Sequence, residues 1–555
     1  MKKSYKWRLP ITEEERGDII DEVVERVMQE KIEKVESSPD SALEYIINDI
    51  LYHERRRAAS QGNSEEMLAE LDFLFTTTKN LKRASEKEKQ EMLERIARHY
   101  AEDIAGHFNH RVYRFASQAL PVLLTGLFNS FSPDLLLRNF PKFPDLLSRV
   151  VLRGDIDNIR ELATRGTLIF TPTHSSNLDS IVVGWSLIHT DLPPVNYGAG
   201  KNLFTNPALS FFMNRLGAYK VDRRLKHDFY KDILKMYSEV ILNHGCHCLF
   251  FPGGTRSRSG GVESKLKLGL LGTGLTAYIN NLLNGREPAE VYVVPMTINY
   301  PIVLEGETLI EDYLAESGKA RYIIEDDDSS KPFRMLRFLV RLMRMESSMA
   351  IMFAPPLDIF GNRVDYEGHS LDRHGRPIDI RKYVANSDGE ICHDPARDTE
   401  YVNELGTAIA ESFRHNVVVF PTHVLSFVLF EMLTAANPGV DLYRLLSYEG
   451  EGARFAVSDV VAQLETISAR LVEHEHADRI KLIGPIRSSG CGRELLQEAL
   501  NYFGMSHAKP AAIRKGEKIA VISPKLVYYY RNRLDSLALE GIFGEQQSGP
   551  EHTAN

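Results

Sequence analysis

Apolar positions recur every three or four residues between residues 11 and 108, which predicts several amphipathic helices with polar outer faces. The clearest of these helices begins at Ser85, because Ser85 and Glu88 have the spacing of a capping box. Six residues form its predicted apolar face: Leu93, Ile96, Ala97, Tyr100, Ala101 and Ile104. We therefore predict a helical N-terminal domain and place it at residues 1–130.

The apolar pattern changes near Thr167, where short runs end at glycine, proline or polar residues and longer amphipathic segments separate them. This alternation is typical of an α/β fold whose sheet is buried on both faces. Four runs predict the central strands: residues 168–171, 248–251, 291–296 and 349–353. The α/β domain is placed at residues 131–400.

Helical spacing returns after about Tyr401, and the polar tail from Gln546 is expected to be disordered. This predicts a helical C-terminal region at residues 401–555. The longest apolar stretches are residues 119–131 and 417–433, and Pro421 interrupts the second one. Neither stretch is a convincing membrane span of ~20 residues.

Composition narrows the class of protein further. The chain has 555 residues, long enough for roughly two to four folding units, and its 43% hydrophobic and 26% charged residues are typical of a soluble globular protein. Its net charge of -9 gives no basic field for nucleic acid, so we expect no nucleic-acid partner. Four cysteines and an N-terminus without an apolar stretch favour a reducing, cytoplasmic location.

The first candidate for chemistry is the segment THSSNLDS, which contains His174 and Asp179 and directly follows a predicted strand. In open α/β folds, ligands bind at this carboxyl end of the sheet. A histidine can take a proton from an alcohol, while a carboxylate fixes its tautomer. By spacing alone, a structural role in the turn is at least as common for such a pair.

The second candidate is FPGGTRSRSGG at residues 251–261, which also follows a predicted strand. Its glycines allow close approach of a ligand to the backbone, and Arg256 and Arg258 can donate paired hydrogen bonds to a phosphate. The segment has neither the spacing of a P-loop nor that of a dinucleotide fingerprint. The alternative is a basic surface turn.

Four segments in order resemble the motifs of the glycerolipid acyltransferase superfamily. They are residues 174–179 (HxxxxD), 217–223 (G-x-x-[FV]-[IV]-[DR]-R), 251–258 (F-x-E-G-T-R-S-R) and 294–296 ([VI]-P-[VIM]). The chain's length, its helical N-terminal region and the segment LVYYYRNRL at 526–534 are most similar to the glycerol-3-phosphate and dihydroxyacetone-phosphate acyltransferase group. The resemblance implies an α/β acyltransferase domain with a mixed central sheet flanked by helices, an N-terminal helical domain and C-terminal helices.

The same resemblance implies transfer of a fatty acyl group from an acyl thioester to glycerol 3-phosphate in phospholipid synthesis. The donor is expected to be acyl-CoA or an acyl carrier protein, with no cofactor and no metal. The alternatives are a 1-acylglycerol-3-phosphate acyltransferase and a catalytically impaired lipid-binding relative. A serine hydrolase is disfavoured because the chain has no GxSxG segment.

The resemblance assigns His174 as general base and Asp179 as its partner. The expected substrate-binding residues are Arg223, Arg256, Ser257, Arg258, Lys201 and Lys267. In the motif at residues 251–258, Gly253 stands where many relatives have glutamate. This departure puts the acceptor assignment in more doubt than the reaction type.

Three charged or metal-ligating segments have simpler interpretations. Cys246, His247 and Cys248 alternate along a predicted buried strand, so they are expected to be core residues rather than metal ligands. The acidic run at 325–330 is expected to be a polar loop, and HERRR at 53–57 a solvated helix face.

A basic stripe is predicted on a helix at 331–344, where arginines recur at three- and four-residue spacing beside apolar residues. Such a stripe suits anionic lipid headgroups, and we expect peripheral binding to the inner face of the cell membrane. It also suits an acidic acyl donor. An amphipathic helix packed on the sheet, with arginines extended to solvent, is an equal alternative.

Overall fold

The computed structural model describes residues 7–37, 42–61, 65–116, 150–201, 204, 207–317, 349–447, 453–505 and 509–539. The predicted acidic loop at 325–330, the basic stripe at 331–344 and the tail from Gln546 lie outside these residues. The helices are α1 (Arg16–Ser37), α2 (Leu43–Gln61), α3 (Glu65–Thr77), α4 (Glu86–Ile104), α5 (Ile156–Leu162), α6 (Asp179–His189), α7 (Pro207–Arg215), α8 (Asp228–Asn243), α9 (Gly272–Leu283), α10 (Gly306–Ser317), α11 (Pro395–His415), α12 (Pro421–Ala435), α13 (Leu442–Leu446), α14 (Val457–His476), α15 (Gly492–Phe503) and α16 (Pro524–Arg531).

The strands of the central sheet are β1 (Val150–Gly154), β2 (Thr167–Pro172), β3 (Asn196–Gly200), β4 (Ala218–Val221), β5 (Cys248–Leu249), β6 (Val291–Asn299), β7 (Met349–Phe353), β8 (Leu357–Asp358), β9 (Arg363–Val364), β10 (Ser370–Leu371) and β11 (Pro377–Ile378). The C-terminal region adds β12 (Val418–Val419), β13 (Arg454–Ala456), β14 (Lys481–Leu482), β15 (Ala512–Lys515) and β16 (Lys518–Val521).

The central sheet is mixed, as expected. Strands β4, β3, β5, β2 and β6 lie side by side in that order and are parallel. Strand β7 pairs antiparallel with β6 and parallel with β1, while β8 to β11 extend the other part of the β6 edge as an antiparallel ribbon. The four predicted strands are β2, β5, β6 and β7, and they are neighbours in this sheet.

The sheet is covered on both faces, which explains why its strands are continuously apolar. Leu168 and Phe170 of β2 belong to a core shared with α6 and the C-terminal helices α12, α14 and α15. Ile169, on the other face, belongs to a core shared with α8, α9 and the N-terminal helices α1, α2 and α4. Successive residues of a strand point to opposite faces, so one strand joins the two cores.

The helix predicted from Ser85 is α4, and its capping box is present. Its predicted apolar face is buried together with Met92. Helices α1 and α4 pack against α8, which lies between β4 and β5. The N-terminal helices therefore share a core with the sheet, and the division of the chain at residues 130 and 400 stays a prediction.

Two predictions need correction here. The segment 53–57 is only partly a solvated face, because Glu54 is buried at 1% exposure and pairs with Arg57, whereas Arg55 and Arg56 are exposed. Burial raises the pKa of Glu54. The C-terminal region is helical as predicted but also contains the short strands β12 to β16, whose two to four residues leave no clear alternation in the sequence.

Among the described residues, no helix is both long enough and apolar enough to cross a membrane.

Candidate active site

His174 and Asp179 form a hydrogen-bonded pair at the carboxyl end of β2. Nδ1 of His174 lies 2.8 Å from Oδ2 of Asp179. Asp179 is the first residue of α6, so the turn between strand and helix brings the two side chains together. A carboxylate accepts at this distance, which places the imidazole proton on Nδ1 and leaves a lone pair on Nε2.

Asp179 is fully buried and firmly held. Its Oδ2 also accepts the backbone N–H groups of Ser175 at 2.6 Å and Ser176 at 2.9 Å. Its Oδ1 accepts the hydroxyl of Tyr300 at 2.8 Å. Burial and the neighbouring Asp179 raise the pKa of Tyr300 well above its usual value, so Tyr300 stays protonated and donates. Four donors including His174 therefore fix this carboxylate as an acceptor.

The ring of His174 stacks on Phe251 at a centroid distance of 4.3 Å. Its side chain is 18% exposed, and no group in the described part of the chain hydrogen-bonds Nε2. The segment 251–261 also holds the main chain, because the N–H of Ser257 donates to the carbonyl of His174 at 2.7 Å. The ring is thus oriented from one side and open on the other, as a general base requires.

Glu305 connects the histidine loop to Arg256. Its buried carboxylate accepts the hydroxyl of Ser176 at 3.0 Å and the N–H of Asn177 at 2.9 Å. Nη1 of Arg256 lies 3.6 Å from Oε1 of Glu305, an ion pair longer than a hydrogen bond. Within the described residues this buried Nη1 has no hydrogen-bond partner. Arg256 therefore keeps an unused donor beside the histidine loop.

The positive charge of Arg256 acts on Arg223 although their segments are over thirty positions apart in sequence. Arg223 is exposed by surface area, yet partial desolvation lowers its pKa, and the charge of Arg256 lowers it further. Arg223 follows β4 and makes no hydrogen bond or ion pair to the described protein groups. Two neighbouring guanidinium groups with unused donors form a natural site for an anion, and a phosphate matches their geometry.

The other predicted substrate-binding residues have different surroundings. Ser257 donates its hydroxyl to the carbonyl of Gly261 at 2.9 Å, and its N–H to His174. Arg258 pairs with Glu316 at 2.6 Å, and Lys201 pairs with Asp103 at 2.9 Å. Lys267 is exposed, and its side chain lies over Gly254. The structure thus brings Arg223 and Arg256 together, whereas Arg258 and Lys201 are held by carboxylates.

A segment near the C-terminus, residues 529–533, packs against the site. A Cβ atom on Gly260 would lie 2.1 Å from the carbonyl oxygen of Tyr529, so only glycine allows this approach. The side chain of Asn532 donates to the carbonyl of Ser259 at 2.9 Å, and Nη2 of Arg533 donates to Oδ1 of Asn299 at 2.5 Å. Arg533 is buried, which lowers its pKa.

Sequence reasoning missed four residues of this site: Tyr300, Glu305, Glu263 and Arg533. Tyr300 and Glu305 follow β6 at the carboxyl edge of the sheet, so the rule that identified His174 also applies to them. Glu263 lies fourteen positions after the end of β5, and Arg533 follows helix α16. Their positions depend on long-range packing that local patterns do not reveal.

The segment of Cys246, His247 and Cys248 belongs to the core, as predicted. All three side chains are buried, and burial raises the pKa of Cys246 to about 12. Nδ1 of His247 accepts the N–H of Leu168 at 3.0 Å, and burial lowers the pKa of His247 to about 4. A neutral histidine joined to a neighbouring strand supports the sheet.

Comparison with known proteins shows similarity to acyltransferases over part of the chain. Residues 153–299 match the family model described as Acyltransferase. The glycerol-3-phosphate acyltransferase of Pseudomonas paraeruginosa is 27% identical over 242 residues, covering 43% of this chain and 26% of the relative. That of Pseudomonas syringae pv. syringae is 23% identical over 362 residues, covering 64% of this chain and 37% of the relative.

The chain thus spans about a quarter to a third of the length of these curated relatives. Among solved structures, the 1-acyl-sn-glycerophosphate acyltransferase PlsC from Thermotoga maritima is 15% identical and covers 53% of this chain and 96% of its own. Its TM-score of 0.24 is too low to establish a shared fold.

Residues 153–299, which contain the histidine and aspartate pair, are thus similar to acyltransferases. This similarity and that of the curated relatives support the resemblance to the glycerolipid acyltransferase superfamily found in the motifs.

Proposed function

We propose that this protein is an O-acyltransferase that moves a fatty acyl group from an acyl thioester to a hydroxyl of glycerol 3-phosphate. One observation carries the proposal: Arg256, with an unused buried donor, is joined through Glu305 to the loop that holds the His174 and Asp179 pair. A base for a hydroxyl and a site for a phosphate therefore lie on one connected structure. Glycerol 3-phosphate carries both groups.

The reaction needs one base and no enzyme nucleophile. Nε2 of His174 takes the proton of the acceptor hydroxyl as its oxygen attacks the thioester carbonyl carbon. The new C–O bond forms, and the tetrahedral intermediate then expels the thiolate by breaking the C–S bond. The proton on Nε2 passes to the sulfur and yields the free thiol. Asp179 stabilises the imidazolium that exists between the two proton transfers.

The phosphate of the acceptor is assigned to Arg223 and Arg256. A dianionic phosphate that leaves water needs several charge-assisted hydrogen bonds, each worth roughly 1.5–3 kcal/mol. Among the described residues, no group hydrogen-bonds the guanidinium of Arg223, and Nη1 of Arg256 has no hydrogen-bond partner. Lys267 is a third cation on the same loop as Arg256, and its exposed ammonium is free to approach a ligand. Arg258 and Lys201 contribute only if they leave Glu316 and Asp103.

The location of the enzyme in the cell is part of the same proposal. Four free cysteines agree with a reducing cytoplasm. We place the enzyme on the inner face of the cell membrane, where the product of an acyl transfer in phospholipid synthesis would remain. The basic stripe at 331–344 supports this placement by its sequence.

The testing experiment compares acceptors and donors in one assay. Purified protein receives radiolabelled glycerol 3-phosphate, dihydroxyacetone phosphate or 1-acylglycerol 3-phosphate, each with acyl-CoA and with acyl carrier protein as donor. We expect the highest kcat/KM with glycerol 3-phosphate. A preference for 1-acylglycerol 3-phosphate would favour the alternative acceptor. Acyl transfer to none of the three would contradict the proposed function.

A further inference from the structure

Glu263 lies against Gly253, where the chain departs from the third motif of the superfamily. The segment after β5 returns on itself, and the N–H of Lys267 donates to the carbonyl of Pro252 at 2.6 Å. This closure brings Glu263, ten positions further along the chain, over Gly253. A Cβ atom on Gly253 would lie 2.4 Å from Oε2, 2.7 Å from Cδ and 3.0 Å from Oε1 of Glu263.

One of these distances, 2.7 Å from Cβ to Cδ, is close to the distance within a single glutamate side chain. Two C–C bonds of about 1.5 Å at a tetrahedral angle separate Cβ and Cδ of a glutamate by about 2.5 Å. The carboxyl group of Glu263 therefore occupies the place that the carboxyl group of a glutamate at position 253 could reach. A side chain at 253 would force this carboxyl group to move, whereas glycine at 253 leaves it in place.

The carboxyl group of Glu263 also holds the catalytic histidine. Its Oε1 accepts the backbone N–H of His174 at 2.7 Å. The N–H of Ser257 donates to the carbonyl of the same histidine at 2.7 Å, so one loop holds both sides of this main-chain unit. Loss of Glu263 would leave a backbone donor without its partner and free the histidine to shift.

The surroundings of Glu263 agree with a role inside the site. Its Oε2 is buried without a hydrogen-bond partner among the described residues. Burial raises the pKa of Glu263 to about 8, and the negative charge of Asp179 also raises it, whereas the N–H of His174 and the charge of Arg533 lower it. The carboxyl group thus lies within the electric field of the catalytic pair.

We infer that Glu263 is a positioning residue of the acyltransferase site, which supplies from position 263 the carboxyl group that Gly253 lacks and holds His174 in place for proton transfer. This inference rests on the proposed function for its kinetic test. It also removes the main reason to regard the chain as a catalytically impaired relative, because the departure at 253 is compensated ten residues away.

The experiment exchanges the carboxyl group between the two positions. Glu263→Ala should lower kcat about ten-fold or more and change the acceptor KM less than about two-fold, because a misplaced base affects the chemical step. Gly253→Glu alone should also be impaired, since the two side chains collide. The double variant Gly253→Glu, Glu263→Ala should have a higher kcat than Glu263→Ala. The rise should restore at least about half of the difference in log kcat between the parent and Glu263→Ala. Glu94→Ala, an exposed carboxylate on α4, is the matched control and should resemble the parent.

A second measurement does not depend on activity. Hydrogen exchange of the peptide that contains His174 should be faster in Glu263→Ala than in the parent, and slower again in the double variant. If the parent acylates none of the acceptors, the proposed function fails while this exchange pattern still tests the position of Glu263. A double variant no better than Glu263→Ala in both kcat and exchange would overturn the inference, as would a loss confined to the acceptor KM.

Discussion

Tyr300 donates its hydroxyl to Oδ1 of Asp179 at 2.8 Å, while Oδ2 of the same carboxylate contacts His174. The residue that follows β6, 121 positions away in sequence, thus fixes the carboxylate that orients the ring of His174. Tyr300→Phe removes this one hydrogen bond and keeps the ring.

We expect Tyr300→Phe to lower kcat about ten-fold, since a hydrogen bond to a charged group is worth roughly 1.5–3 kcal/mol and part of it is retained by the other donors. The acceptor KM should stay within about two-fold, because Tyr300 is not among the proposed phosphate ligands. Steady-state kinetics with varied acceptor provide the check. An unchanged kcat would mean that the backbone donors of Ser175 and Ser176 suffice.

The arginine pair gives the second prediction. Arg256→Ala should raise the acceptor KM about ten-fold or more and leave the thioester KM nearly unchanged, because Arg256 is a proposed ligand of the acceptor phosphate. Arg256→Lys should recover only part of the loss, since an ammonium cannot make the paired hydrogen bonds of a guanidinium.

Arg258→Ala is the comparison variant, because Arg258 already pairs with the exposed Glu316. Its effect on the acceptor KM should be smaller than that of Arg256→Ala. A selective rise of the donor KM in Arg256→Ala would instead place this arginine at the donor's phosphates, and glycerol 3-phosphate would lose its main support.

The raised pKa of Glu263 makes a prediction about stability. In the unfolded chain a glutamate releases its proton near pH 4.5, but in the folded protein Glu263 does so near pH 8. Between these values the folded state binds more protons, so the free energy of unfolding falls as pH rises. The stabilisation that the protonated carboxyl group of Glu263 gives to the folded state is complete below about pH 4.5 and lost above about pH 8. Glu263→Gln, which does not titrate, should therefore show a smaller fall in Tm between pH 5 and 8. Parallel curves for parent and variant would be inconsistent with the raised pKa.

The basic stripe at 331–344 gives the fourth prediction, from sequence alone. Reversing the charge of Arg337 and Arg341 with glutamate should weaken sedimentation with anionic vesicles, most strongly at low salt, because salt screens exposed charges. Reversal of the exposed Arg55 and Arg56 on α2 is the matched control for net charge. Unchanged vesicle binding together with a lower Tm would show that the stripe packs against the protein.

The sequence predicted the parts of the fold that have long apolar runs. Strands β2, β6 and β7 are such runs, and they led directly to His174 at the end of β2. Strand β3 was not predicted, because NYGAG contains two glycines and an asparagine and has no apolar run. Its place in the sheet comes from pairing with β4 and β5, which is a long-range property.

The residues of the site likewise divide into those that local sequence patterns predict and those that depend on long-range contacts. His174, Asp179 and Arg256 were predictable because they follow strands and match motif positions. Glu263 was not, since a hydrogen bond between Lys267 and Pro252 brings it back over Gly253. Arg533 reaches Asn299 from 234 positions away, and no local pattern marks such a contact.

The central claim is that His174 removes the proton from the acceptor hydroxyl. Its most direct test is the rate of acyl transfer to glycerol 3-phosphate by His174→Ala, measured in a single turnover with saturating thioester. Because general bases typically contribute about 10²–10⁴-fold, we expect a loss in this range with the acceptor affinity and Tm close to those of the parent. A rate within about three-fold of the parent would contradict the account.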